Sequence, residues 1–321
     1  MWIVPEAAIG DLMTEEAAFG AVEAVFGAMA SGDAYNFPVI REAIGHADAL
    51  YGFKSGFDRK ALNLGVKSGG YWPGNADKGI PNHQSTVFLF DADTGRLKAV
   101  VGGNLLTALR TAAASAVSIA HLARTDAKVL GMIGAGHQSA FQMRAAVRRR
   151  AFEKVIGWNL HPEMLTRLAS TAEELGLPFE AVGLERLGTE ADVIITITSS
   201  FEATLKNDVV RPGTHLACMG TDTVGKQEVE PAILARATVF TDEVAQSVTL
   251  GEAQHAVAAG MIEESDVNPI GRVINGDHPG RTSDGEITLF DGTGVGLQDL
   301  AVASAVVERA IETGVAVEVD F

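Results

Sequence analysis

The chain has 321 residues, and at about 150 residues per domain this length predicts two domains, each able to bury a core of its own. Apolar residues make up 47% and charged residues 21%, a balance that excludes a disordered, collagen-like or coiled-coil chain. Lys and Arg total 25 against 41 Asp and Glu, and the resulting charge of −16 repels phosphate backbones and anionic headgroups, which argues against nucleic acid and membrane partners.

The first forty residues carry Glu6, Asp11, Glu15, Glu16, Glu23 and Asp33 but no Lys or Arg, so the cationic start of a targeting peptide is missing. No uncharged apolar run reaches the ~18 residues of a membrane span. Cys218, the single cysteine, rules out an intrachain disulfide and reads as a buried thiol. These features predict a cytoplasmic protein. Thr14 can cap a helix whose first turn holds Glu15 and Glu16 and whose inner face holds Phe19, Val22, Phe26 and Met29. Leu62, Leu64 and Val66 alternate with Asn63, Gly65 and Lys67, the pattern of a half-buried strand ending at the lysine. The runs 87–90 and 97–101 flank Asp93-Thr94-Gly95 and predict a hairpin.

From Thr107 to Ala123 the sequence becomes rich in Ala and Ser, which predicts a closely packing helix that carries the chain from one domain to the other. Strand-like runs at 129–133, 155–158, 179–182, 193–198, 215–219 and 239–241 then alternate with helical stretches, as right-handed βαβ units of a parallel sheet do. Residues 287–291 read as a further strand, and 297–311 as a helix; this last stretch could return to the first domain. The expected division is 1–112 with 298–321, and 113–297.

The run Val129-Leu130-Gly131-Met132-Ile133 leads directly into Gly134-Ala135-Gly136-His137-Gln138-Ser139 and then a helix. Strand, glycine turn and helix in this order suit a dinucleotide, because the glycines permit a tight turn and the helix N-terminus meets the pyrophosphate. Asn159, at the end of the second strand, stands where a ribose-reading acid is expected; no Arg follows immediately to pair a 2′-phosphate, so NAD is favoured over NADP. Arg144, Arg148, Arg149 and Arg150 read as a solvated helix face. His83 has no neighbouring set at metal-ligand spacing, so its expected role is structural or supporting, and no metal site is expected. No Gly-x-Ser-x-Gly elbow supports a hydrolase.

Four segments in this order resemble the ornithine cyclodeaminase/mu-crystallin family: Leu106-Thr107-Ala108-Leu109-Arg110-Thr111-Ala112-Ala113, the glycine turn, Gly220-Thr221-Asp222-Thr223-Val224-Gly225-Lys226-Gln227-Glu228, and Ile287-Thr288-Leu289-Phe290-Asp291-Gly292-Thr293-Gly294. The resemblance implies an α/β fold, a Rossmann doubly wound parallel sheet inserted in an α+β substrate-binding and dimerisation domain, and a homodimer. It implies that Lys67 and Asp222 are catalytic and approach from different domains, and that Arg41, Arg110, Thr293 and Gly294 bind substrate. Cofactor contacts are implied for Arg110, Gly134, Gly136, His137, Gln138, Asn159, Thr198, Met219, Gly220, Thr221, Lys226 and Gly292. The expected activity is NADH-dependent reduction of a small 2-imino acid, with iminosuccinate to L-aspartate as its sharpest form. An ornithine-type cyclodeaminase, an alanine dehydrogenase-like enzyme and a crystallin-like nucleotide-binding protein are the alternatives. The chemistry agrees: hydride addition to an imine carbon requires a protonated or polarised nitrogen, which an ammonium and a carboxyl group can provide.

Overall fold

Thr14 caps the first long helix, its side-chain oxygen accepting from the Ala17 N–H at 3.1 Å, and Glu15–Ala30 follows with Val22 and Phe26 on its buried face. The computed structural model describes residues 1–321, which fold as two units, Met1–Arg110 with Val295–Phe321, and Thr111–Gly294. These boundaries lie two or three residues before those expected at 112/113 and 297/298.

Eight strands build the sheet of the first unit. Its order is Val317–Glu318, Trp2–Val4, Leu97–Gly102, His83–Phe90, Asn63–Tyr71, Leu50–Asp58 and Ala34–Asn36, with Ile40–Ala43 also paired to Leu50–Asp58. The expected hairpin forms: Asp91 Oδ1 accepts from the Thr94 N–H at 2.8 Å, and Gly95 takes the left-handed φ of 71° that closes the turn. The strand expected to end at Lys67 instead runs through Asn63–Tyr71, and Leu62, at φ 55°, lies outside it. Pairing on both sides carries the strand past the lysine, with Lys54 and Val87 its register partners. By the alternation of the pleat, Lys54, Lys67, Gly52, Gly69 and Ser85 share one face. The helix Gly296–Glu312 packs across this face: a side chain at Gly56 would strike Leu297, and one at Gly65 would strike Leu300. Tyr35, Phe37, Ile40, Phe53 and Phe57 lie on the opposite face by the same register.

The second unit is a doubly wound parallel sheet. Its strands lie in the order Phe179–Ala181, Lys154–Trp158, Val129–Ile133, Val193–Thr196, His215–Cys218, Ile287–Asp291, Ala237–Thr241 and Val267–Pro269. Ile287–Asp291 therefore does not return to the first unit: it is buried throughout and hydrogen-bonded on both edges, as a strand covered on both faces must be. The helix that follows it, Gly296–Glu312, is the element that returns. Strand order reverses between Val129–Ile133 and Val193–Thr196, and the crevice at the carboxyl ends of such strands is where doubly wound sheets take their ligands.

The helix Asn104–Leu122 is long and apolar enough to cross a membrane by length and composition, but 83% of that stretch is buried within the protein. Its last turn is capped by Arg150, which donates to the Ala120, Ala123 and Arg124 carbonyls at 3.1, 2.7 and 2.8 Å. Arg150 is thus no part of a solvated face, whereas Arg144 pairs with the exposed Glu174. Cys218 is buried, and burial, reinforced by Glu252, Glu228 and Asp291, pushes its thiol well above the ordinary range.

Candidate active site

Lys67 reaches the buried face of the first sheet with only 7% of its surface exposed. Its Nζ forms an ion pair with Asp299 Oδ2 at 2.8 Å and donates to Thr107 Oγ1 at 3.5 Å. Arg110 donates its Nε to Asp299 Oδ1 and its Nη1 to Gln298 Oε1, each at 3.0 Å. A single carboxylate therefore joins two of the residues singled out by sequence. Burial lowers the Lys67 ammonium to about 7; Asp299 opposes this, while Arg110 and Lys54 add to it. Burial also works against an ionised Asp299, yet Arg110 and Lys67 together hold its carboxyl below the usual range.

His83 borders this cluster. Burial and the charges of Lys67 and Arg110 push its imidazole down to about 4, so it is neutral at physiological pH. Arg41 is exposed, lies opposite Gly52 in register, and adds its charge to the field at His83. Cations from four segments, Arg41, Lys54, Lys67 and Arg110, thus surround Asp299 and His83 in an otherwise acidic chain. Such a field is suited to an anionic substrate.

In the second unit, the expected nucleotide residues gather along the carboxyl edge of the parallel sheet. Gly134 has φ 105°, and a Cβ there would lie 2.5 Å from the Ile197 carbonyl, so glycine is required at this turn. Gly136 faces open space, and Gln138 Oε1 is buried beside the turn without a hydrogen-bond partner. The helix Ser139–Val147 begins there, with Ser139 Oγ donating to the Gly136 carbonyl at 2.8 Å. His137 packs its ring against Phe141, and burial followed by the Arg167 charge lowers its imidazole. Open backbone at Gly136 and a helix N-terminus fit a dinucleotide phosphate group, while the unpaired amide oxygen of Gln138 is an acceptor suited to a hydroxyl rather than to the phosphate. Asn159 Oδ1 accepts from the Ala135 N–H at 3.0 Å and its Nδ2 donates to the His161 carbonyl at 2.9 Å, so this side chain shapes the glycine turn itself.

The neighbouring loops are tied together by acids that sequence reasoning passes over. Glu228 accepts from the Thr198 N–H at 2.6 Å and hydroxyl at 2.8 Å, from the Thr196 hydroxyl at 2.6 Å and from the Gly220 N–H at 2.8 Å. Glu252 accepts from the Thr221 hydroxyl at 2.6 Å and from the Glu228 and Val229 N–H groups. Burial and the Glu228 charge push Glu252 up to about 8. Asp242 accepts from the Thr293 hydroxyl at 2.6 Å and from the Gly294 N–H at 2.7 Å, fixing the loop after Ile287–Asp291. Gly292 in that loop lies against Met219: a Cβ there would meet the Met219 sulfur at 2.6 Å. Asp222 pairs with Lys226 at 2.8 Å, and the same ammonium donates to the Gly220 carbonyl at 3.2 Å.

The signal that could have found Asp299 is its place. It sits in the first turn of an apolar helix beside Gln298, where two adjacent polar side chains interrupt a run that is otherwise buried and apolar. Glu228 and Glu252 give no such signal, because only the fold brings their carboxylates to the backbone N–H groups they receive.

The model of the ornithine cyclodeaminase/mu-crystallin family matches residues 3–314. The chain belongs to this family. It is 69% identical over 321 residues, the full length of both chains, to an iminosuccinate reductase of Paracoccus denitrificans. The crystal structure of that protein in complex with NAD+ superposes with a TM-score of 0.97, covering 100% of this chain and 99% of the other. An archaeal alanine dehydrogenase dimer with bound NAD is 32% identical with a TM-score of 0.93, covering 100% and 99%. The Δ1-pyrroline-2-carboxylate reductase of Thermococcus litoralis, solved with NADH and L-proline, is 25% identical with a TM-score of 0.94, covering 99% and 100%.

Proposed function

We propose that this chain is an NADH-dependent reductase that converts iminosuccinate to L-aspartate. The full-length likeness to the Paracoccus reductase carries the reading. The cationic cluster of the first unit supports it independently, since a four-carbon imino dicarboxylate brings two negative charges to be held. When bound at the carboxyl edge of the parallel sheet, the nicotinamide nucleotide supplies the hydride. Gly134, Gly136, His137, Gln138, Thr198, Met219, Gly220, Thr221, Lys226 and Gly292 are the residues we assign to holding it, with Asn159 supporting the turn. Arg110, already aligned by two buried acceptors, holds the carboxylate next to the imine carbon, and Arg41 is assigned to the substrate as well. Lys67 hands a proton to the imine nitrogen, a role suited to an ammonium titrating near 7. Asp222 is assigned a second proton-handling role, and Thr293 and Gly294 form the loop nearest the substrate in this assignment.

The test is loss of NADH absorbance with iminosuccinate formed in place from oxaloacetate and ammonia, beside pyruvate with ammonia, Δ1-pyrroline-2-carboxylate, and ornithine with NAD+. Fastest turnover with iminosuccinate is the expected result. Conversion of ornithine to proline without net change in NADH would replace the reading by a cyclodeaminase.

We further propose a homodimer formed through the open face of the first sheet. Tyr35, Phe37, Ile40 and Phe53 are 46, 37, 52 and 38% exposed there, a grouping of apolar side chains that a lone soluble subunit seldom leaves uncovered. The dimeric archaeal alanine dehydrogenase supports this assembly. A cytoplasmic location suits both the reduced cofactor and the single buried thiol.

A further inference from the structure

We infer that Asp299 is a positioning residue which, through its two carboxylate oxygens, fixes the direction and the charge of Lys67 while aiming Arg110. The inference rests on the reading of Lys67 as the proton donor to the imine. The two oxygens serve different partners, Oδ2 pairing with Lys67 at 2.8 Å and Oδ1 accepting from Arg110 Nε at 3.0 Å. Asp299 and both partners are buried, so neither pair is weakened by solvent as an exposed bridge would be.

The need for a carboxylate follows from the groups around Lys67. Lys54 stands directly opposite it on the Leu50–Asp58 strand, Arg110 approaches from the Asn104–Leu122 helix, and His83, within reach of the Arg41 field, borders it from the next strand. Like charges opposed across a strand pair repel, and a neutral imidazole adds no compensating charge. Asp299 is the acid among the strongest influences on Lys67, and it raises the affinity of Lys67 for a proton against burial, Arg110 and Lys54. Removing its charge lowers the pH at which Lys67 gives up its proton, so the donor form is lost earlier on the basic side. Gln298, the preceding residue, accepts from Arg110 Nη1 and prevents the guanidinium from rotating about the Asp299 bond. A neighbouring Gln and Asp in one helical turn thus orient the carboxylate anchor and the proton donor together.

The experiment compares wild type, D299N and D299E in kcat/KM for iminosuccinate across pH. In parallel, Lys67 is titrated by NMR of protein labelled at the lysine ε-carbon, with K67R identifying its signal. In D299N the basic limb of the profile and the Lys67 titration both move down by about one pH unit or more. In D299E the limb stays near wild type while KM rises several-fold, because the charge is kept and the spacing is not. An unmoved limb and an unmoved Lys67 titration in D299N, with activity lowered equally at every pH, overturn the inference. If D299N does not fold, D299E decides: wild-type KM in that variant overturns it. Absence of iminosuccinate turnover in wild type rejects the parent reading instead, and the Lys67 titration then still tests what Asp299 does.

Discussion

An ammonium that titrates near 7 is divided between two protonation states where an ordinary lysine, near 10.4, is charged throughout. Lys67 owes this to burial, and Asp299 keeps part of its proton affinity, as the proposed donor role requires. As pH rises through about 7 the charged donor is depleted, so reduction slows on the basic side. Replacing Lys67 with Ala is expected to lower kcat by about 10²–10⁴-fold, the usual worth of a positioned acid. NADH affinity, measured by fluorescence titration, should stay within a few-fold, since the residues proposed to hold the nucleotide, Arg110 apart, belong to the other unit. Unaltered kcat would remove Lys67 from the chemistry. Lys67 and Arg110 are singled out in the sequence by the family resemblance, not by local pattern. Asp299 is marked locally only by the polar pair it forms with Gln298 in an apolar helix; its partners are not legible, since Arg110 is 189 residues away and Lys67 farther still.

At the scale of elements, local pattern is enough to find the strand, turn and helix around Gly134, and the capped helix after Thr14, because each is written in one continuous stretch, residues 129–147 and 14–30. The strand through Lys67 departs from the local pattern at both ends because pairing with two neighbours, absent from any local window, decides its length. Likewise the two-stranded pairing of Phe201–Leu205 with Gln227–Val229 has no signature that sequence alone displays. Glu228 shows what such distant pairing achieves, as it binds the loops after two parallel strands through Thr198 and Gly220. Glu228→Gln replaces an acceptor oxygen with a donor that meets donors, leaving at least one buried N–H unsatisfied. At roughly 1–3 kcal/mol for such a loss, NADH affinity should weaken by up to about 5–150-fold. Calorimetric titration would measure it, and undiminished affinity would mean that these loops do not hold the nucleotide.

For the whole molecule, alternation of strands and helices after residue 129 identifies a parallel sheet, but not the position of Ile287–Asp291 within it. A strand pattern states that a strand exists; its neighbours are chosen by packing across the finished unit. The open aromatic face of the first sheet is a second property visible only after folding. Phe53→Glu places a charge among Tyr35, Phe37 and Ile40 without entering the helix-covered face. Sedimentation should then report a monomer in place of a dimer, while the nucleotide unit still binds NADH. A variant that sediments as wild type would locate the assembly surface elsewhere.

The late strand Ile287–Asp291 also constrains how the protein is made. Because it lies between His215–Cys218 and Ala237–Thr241, the parallel sheet stays in two separate pieces on the ribosome until residues 287–291 have been translated. Cooperative closure of that unit must therefore wait for this strand, and a nascent chain stalled before residue 287 presents two raw strand edges for chaperones to shield.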